Sequence, residues 1–176
     1  MRRLLLLDDD PLILHALQRT LRQCKFDVEL RIEVFAEAAE ALTRAREIDI
    51  DLVISDYHMP AMNGVQFLNR FRQIQPDAVR MVLSASTEFD TALRAINEAE
   101  VFRFIPKPWQ REELQQIIVL ALARRDQNAA LTQEQVSLTA QELALRQLEA
   151  DEPGITKVKW GADGSVLLDT IPGEID

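Results

Sequence analysis

The stretch LLLLDDDP, residues 4–11, decides the fold and raises the first chemical question. Four successive leucines are typical of a short buried strand. Three aspartates follow directly, and two like charges in contact near a protein surface repel each other by about 4 kcal/mol. Pro11 suits the first position of a helix, with Asp10 before it as the N-cap. Asp8 and Asp9 therefore need something that offsets their repulsion.

The composition limits the class of protein. The chain has 176 residues, of which 47% are hydrophobic, and this suits one globular domain with an addition. No apolar run approaches the roughly 20 residues of a membrane helix, and the N-terminus lacks the apolar region and cleavage site of a signal peptide. The single cysteine, Cys24, forbids an internal disulfide. We therefore expect a cytoplasmic protein without a membrane partner.

The charge distribution argues against nucleic acid as a direct partner. The net charge is −9, and nucleic-acid binding depends on positive charge. Residues 126–176 hold three Lys or Arg against ten Asp or Glu, a net charge of −7, whereas the first 125 residues have a net charge of −2. The last part of the chain therefore differs in kind from the part before it.

Apolar runs alternate with helical patterns along the first 125 residues. Strands are predicted at 4–7, 28–35, 50–55, 79–84 and 101–105, and helices at 11–24, 36–47, 64–74, 88–100 and from 111 onwards. This alternation predicts an α/β fold with a five-stranded parallel sheet, doubly wound, with helices on both faces. In such sheets ligands bind beyond the carboxyl ends of the strands.

Polar side chains follow four of the predicted strands. The set consists of Asp8, Asp9, Asp56, Ser84 and Lys107. Each alone is a common cap or surface residue, but the fold would bring all of them to one edge. Several carboxylates without His or Cys favour Mg²⁺, while a hydroxyl and an ammonium would hold phosphoryl oxygens. The nucleophile would be a carboxylate that forms an aspartyl phosphate.

Four motifs carry a resemblance to a known family. They are LLLLDDDP, DLVISDYHMPAMNG, MVLSAS and FRFIPKPW. In this order they resemble the receiver domain of two-component response regulators, which has a flavodoxin-like fold, over about residues 1–123. The resemblance implies that a sensor histidine kinase or phosphotransfer protein supplies a phosphoryl group. It implies a switch whose only activities are self-phosphorylation and self-dephosphorylation, and not an enzyme.

The resemblance also implies roles for the acidic residues. Asp56 would be the phosphoacceptor. Asp9 and Asp56 would ligate Mg²⁺ directly, together with the backbone carbonyl of His58. Asp8 would act through a metal-bound water.

Further residues receive roles in the phosphorylated state. Ser84 would bond a phosphoryl oxygen and Lys107 would pair with the phosphoryl group, with a cis bond before Pro108. Phe104, where the family often has Tyr, would be the switch aromatic that moves inward. Gly64 would stand at the tight point of the loop after the phosphoacceptor strand.

Two segments follow the receiver. Residues 124–150 are predicted to form a helical extension, in which Leu131, Leu138 and Leu145 are spaced by seven. Either the helix continues, straight or kinked, and pairs through this stripe, or it restarts at threonine caps. Residues 151–176 are predicted to form an acidic β-hairpin tail.

The favoured function is a phosphorylation-controlled switch that signals to an unknown output protein by contact, or through homodimerisation by residues 124–176. One alternative is a haloacid-dehalogenase-type phosphatase, because residues 8–10 contain D-x-D after a strand. The chain does not fit that alternative, because Pro11 and Leu12 follow the triplet and no acidic pair directly follows Lys107. The other alternative is a receiver-fold scaffold that never uses phosphate, against which the intact set of site residues argues.

Overall fold

The structure is a computed structural model that describes residues 1–85, 100–151, 159–160 and 166–167. The helices are α1 (Pro11–Gln23), α2 (Ala38–Glu47), α3 (Gly64–Ile74) and α4 (Arg111–Asp151). The strands are β1 (Arg2–Leu7), β2 (Leu30–Phe35), β3 (Leu52–Asp56), β4 (Val79–Ala85), β5 (Arg103–Lys107), β6 (Lys159–Trp160) and β7 (Val166–Leu167). The helix predicted at 88–100 lies, but for its last residue, outside the described residues.

The first five strands form one parallel sheet in the order β2-β1-β3-β4-β5. This confirms the predicted five-stranded parallel sheet. The chain moves outward from β1 to β2 and then crosses to β3 on the other side of β1. The carboxyl ends of β1 and β3 therefore lie side by side at the switch point, where doubly wound sheets bind ligands.

The leucine run at 4–7 supplies two cores, because successive side chains of a strand point to opposite faces. Leu5 and Leu7 belong to the apolar cluster that also contains side chains of α2 and α3. Leu4 and Leu6 belong to a second cluster, with side chains of α1 and α4. All four leucines are at most 1% exposed. Burial on both faces explains why the strand reads as a continuous apolar run.

The fifth strand begins two residues later than the sequence predicted. Pairing with β4 starts at Arg103, opposite Met81, and ends at Lys107. The prediction of 101–105 was wrong because Val101 is apolar for another reason: it is buried in the α2–α3 cluster just before the strand. Glu100, with a φ of 47°, turns the chain into this segment. Lys107 is thus the last residue of the strand and not a loop residue.

Polar contacts attach α4 to the amino-terminal edge of the sheet. The Arg2 guanidinium contacts Asp51 at 3.0 Å and Asp126 at 2.5 Å. The Asn128 side-chain amide donates to the Asp77 carbonyl at 3.2 Å. The chain divides into two compact units, residues 1–131 and 132–176.

The helical extension is continuous. Thr139 donates its hydroxyl to the Gln135 carbonyl at 2.9 Å, as a threonine inside a helix does. The alternative of a helix that restarts at a threonine cap is therefore wrong. Beyond α4, β6 and β7 pair antiparallel, with Trp160 opposite Val166. Among the described residues, no helix combines the length and apolar character that crossing a bilayer requires.

Candidate phosphoacceptor and metal site

Two buried carboxylates and one ammonium meet at the carboxyl edge of the sheet. Asp8 follows β1, Asp56 ends β3, and Lys107 ends β5. The Lys107 Nζ donates to Asp8 Oδ2 at 2.8 Å and to Asp56 Oδ1 at 2.5 Å. Both aspartates are buried, so charge-assisted hydrogen bonds are needed to offset the loss of water around them. Residues at the ends of three strands, up to 99 positions apart, are therefore joined by one ammonium.

The three aspartates of the opening stretch have separate surroundings. The Asp10 side chain accepts from the Leu12 backbone N–H at 2.8 Å and caps α1, as predicted. Asp8 Oδ1 accepts from the Asp10 N–H at 2.9 Å and faces Lys107 with its other oxygen. Asp9 is exposed. The repulsion at residues 8–10 is therefore reduced in two ways: Asp10 caps α1, and Lys107 pairs with Asp8. Asp8 and Asp9 remain at the same edge of the sheet as Asp56.

The carboxylate set fits a divalent cation. Asp8, Asp9 and Asp56 each offer an oxygen, and these oxygens lie within 4.8 Å of one another. Opposite ligands of an octahedral Mg²⁺ are about 4.2 Å apart, so small side-chain movements would bring all three oxygens into range. The oxygen-only ligand chemistry also matches Mg²⁺.

The loop after Asp56 is held tightly against the end of β3. The Tyr57 N–H donates to the Leu83 carbonyl at 3.0 Å, and the Gly64 N–H donates to the Tyr57 carbonyl at 2.9 Å. A Cβ at Gly64 would stand 2.2 Å from the Asp56 carbonyl oxygen. Only glycine allows this approach. Asn63 and Gln66 form a capping box that starts α3 at this point.

The other predicted site residues lie around this centre. Ser84, near the end of β4, donates its hydroxyl to the Ala85 carbonyl at 3.2 Å. Phe104 is partly buried against the α2–α3 apolar cluster. His58 is exposed, with its ring edge-on to Tyr57 at a centroid distance of 4.7 Å. The peptide bond between Lys107 and Pro108 is cis, as predicted.

Burial and ion pairing shift two pKa values in the site. Burial raises the pKa of the Asp8 carboxyl, and the hydrogen bond from Lys107 only partly opposes this effect. Burial lowers the pKa of Lys107, but the bonds to Asp56 and Asp8 outweigh it and the net pKa is raised. Lys107 therefore stays charged at neutral pH, while ionised Asp8 costs free energy that a bound cation would offset.

The family model of the response regulator receiver domain matches residues 4–119. The chain belongs to this family. Receivers of this family generally act as switches, bind Mg²⁺ at an acidic pocket and work with a histidine kinase or phosphotransfer protein. The assignment supports the receiver interpretation over the haloacid-dehalogenase-type phosphatase.

Relatives of this receiver are transcriptional regulators. The hydrogenase transcriptional regulatory protein HoxA of Bradyrhizobium diazoefficiens is 37% identical over 111 residues, which are 63% of this chain and 22% of that protein. The transcriptional regulatory protein PrrA of Mycobacterium leprae is 32% identical over 152 residues, which are 86% of this chain and 60% of that protein. The chain thus spans less than two thirds of the length of either relative.

Solved structures share the receiver fold. The signal receiver domain of an HD domain-containing protein from Pseudomonas fluorescens Pf-5 aligns with a TM-score of 0.67 and 30% identity, covering 73% of this chain and 92% of that one. The adenylate cyclase from Rhodopirellula baltica aligns with a TM-score of 0.66 and 31% identity, covering 78% and 97%.

Sequence reasoning overlooked two features of the receiver site. It assigned Lys107 to the phosphoryl group alone, whereas the ammonium also contacts Asp8. It gave no role to Ser55, which is buried directly before Asp56. A serine at the end of an otherwise apolar run, DLVISD, was the available signal.

We predict that Asp8→Asn stabilises the metal-free receiver at neutral pH. The raised pKa means that the folded state favours the neutral form of Asp8. The wild-type protein therefore loses folding stability as the pH rises above the ordinary pKa of 3.8 and through the raised pKa, because Asp8 becomes charged while buried. Asparagine stays neutral at every pH, so the free energy of unfolding of the variant should exceed that of the wild type increasingly over that pH range. Urea unfolding in EDTA at a series of pH values measures the difference.

Mg²⁺ should reduce this advantage of the variant. At ten times its Kd, a bound ion stabilises the wild type by about 1.4 kcal/mol, and the variant should gain less because it lacks one carboxylate. A variant that is less stable than the wild type in EDTA at neutral pH would contradict the assigned cost of ionised Asp8.

Proposed function

We propose that Asp56 accepts a phosphoryl group from a phosphorylated histidine of a sensor kinase or phosphotransfer protein. The observation that supports this most strongly is the contact of one ammonium, Lys107, with two buried carboxylates where three strands end. A carboxylate oxygen of Asp56 attacks phosphorus, the P–N bond to the donor imidazole breaks, and an acyl phosphate forms.

The cation and Lys107 would share the charge of the transferred group. We propose that Asp9 and Asp56 ligate Mg²⁺ directly, with the His58 carbonyl, and that Asp8 acts through a bound water. The ion supplies charge neutralisation and orientation for the phosphoryl oxygens. Lys107 already contacts Asp56 Oδ1, and its ammonium would pair with a phosphoryl oxygen once that carboxylate is esterified.

Ser84 and Phe104 would change position after phosphorylation of Asp56 and so alter the surface of the receiver. The Ser84 hydroxyl, which donates to a neighbouring carbonyl, would turn to a phosphoryl oxygen. Phe104 is paired in the sheet with Val82, two residues before Ser84. Movement at Ser84 would then change the space that this ring occupies.

We predict a Mg²⁺-dependent gain of one phosphoryl group when the chain is incubated with acetyl phosphate. Asp56→Asn should abolish the gain, because an amide cannot form the acyl phosphate. The matched control is Asp51→Asn, which alters an aspartate just before the same strand but at the opposite edge of the sheet, and it should still be labelled. Intact-mass spectrometry measures both.

Labelling that is unchanged in Asp56→Asn would contradict the site. A wild-type chain that gains no mass with Mg²⁺ would instead favour the scaffold that never uses phosphate.

The signal would leave through the helical extension (124–150) and the tail (151–176). In the helical extension, residues 124–150 of α4, six leucine or valine side chains are 50–64% exposed: Leu131, Val136, Leu138, Leu143, Leu145 and Leu148. Burying a leucine side chain is worth about 1.5–3 kcal/mol, and exposed apolar patches mark interaction sites. We propose that these residues bind an output protein or a second copy of this chain in a two-fold homodimer.

We predict that removing residues 132–176 leaves a folded, phosphorylatable receiver and abolishes dimerisation. The cut is placed after Leu131 because Asp126 and Asn128 still contact the sheet edge. Light scattering at high protein concentration compares the two chains. Leu138→Gln in the full chain should weaken the dimer. Gln133→Ala serves as the control, because Gln133 is five residues away on the same helix and points to a different side from Leu138.

If the full chain and the truncated chain are both monomers, with and without phosphorylation, the homodimer is excluded and the output-protein contact remains.

A further inference from the structure

The backbone around the proposed phosphoacceptor is held by three separate hydrogen bonds. The Tyr57 N–H donates to the Leu83 carbonyl, and the Tyr57 carbonyl accepts from the Gly64 N–H. The Asp56 carbonyl accepts from the Ser55 hydroxyl at 2.9 Å. Two of these bonds are made by the backbone alone and survive most substitutions. The third depends on one side chain.

Ser55 stands in apolar surroundings. It is paired in the sheet with Leu7 on one side and Val82 on the other. These neighbours and Val53 belong to the α2–α3 apolar cluster, while Ser55 itself is 0% exposed. A hydroxyl buried here costs free energy unless it is hydrogen-bonded, and its bond goes to the carbonyl of the residue that would carry the phosphate.

The same carbonyl is confined from the other side. A Cβ at Gly64 would stand 2.2 Å from the Asp56 oxygen, so the start of α3 lies directly against it. Ser55 and Gly64 therefore restrict one peptide group by a hydrogen bond and by close packing. Rotation of that peptide would move the Asp56 side chain relative to Lys107 and the other carboxylates.

We propose that Ser55 is a positioning residue for phosphorylation: its buried hydroxyl fixes the Asp56 carbonyl against Gly64 and so orients the carboxylate for attack. This inference rests on the proposed phosphoacceptor role of Asp56. Ser55 does not touch the phosphoryl group and acts only through the peptide that it binds. Correct orientation of a nucleophile contributes to the rate of the transfer step and is sensitive to small displacements.

The test compares Ser55→Ala with Ser55→Cys in the full chain. Alanine removes the hydroxyl and leaves a small space, whereas cysteine fills the space with a thiol that is only a weak donor. Both should slow phosphorylation by acetyl phosphate at saturating Mg²⁺ by about three- to tenfold, the range that one hydrogen bond supplies. The rate is followed by intact-mass spectrometry at a temperature where every variant is folded.

Val53→Ala is the matched control, because Val53 lies two residues earlier on the same face of β3 and belongs to the same cluster. It should lower the thermal midpoint at least as much as Ser55→Ala but leave the phosphorylation rate unchanged. Ser55→Ala and Ser55→Cys at the wild-type rate would overturn the proposal, as would a Val53→Ala rate that falls equally.

Wild-type labelling is the reference for every rate. A wild-type chain without labelling would refute the phosphoacceptor proposal itself, whereas equal rates in labelled variants would refute only the role of Ser55.

Discussion

The ammonium of Lys107, placed between the carboxylates of Asp8 and Asp56, is the interaction on which the site depends. Without it, two buried negative charges would face each other at the edge of the sheet, at a cost that burial increases. With it, the two carboxylates are held together in the metal-free chain, and in the proposed reaction Lys107 and a cation would balance the charge of the added phosphoryl group. A single lysine thus serves both the metal-free fold and the proposed chemistry.

The fold makes this contact from distant parts of the chain. Parallel strands all end at one edge, and the order β2-β1-β3-β4-β5 places the ends of β1 and β3 next to each other. Gly64 lets α3 begin directly behind Asp56. The leucines at 4–7 are buried on both faces of β1 and so hold Asp8 at the end of this strand. The site therefore follows from topology and close packing, and not from a local motif.

Much of this was predictable from particular residues. The leucine run predicted a short buried strand, Asp10 and Pro11 predicted a helix start, and the alternation of strands and helices predicted the sheet. The start of β5 could not be predicted, because Val101 is apolar but is buried in the α2–α3 apolar cluster before the pairing with β4 begins at Arg103. The contacts of Asn128 and of the Ser55 hydroxyl gave no periodic signal, since a single polar side chain bonded to a backbone carbonyl leaves no pattern of spacing.

The central claim is that this edge of the sheet directs a phosphoryl group to one carboxylate. Acyl phosphates are reduced by borohydride, and a phosphorylated aspartate becomes homoserine. Reduction of the labelled chain, followed by peptide sequencing in a mass spectrometer, should find homoserine at position 56 and aspartate at positions 8 and 9. Homoserine at either of those positions, or at none of the three in a chain that carries the label, would contradict the account.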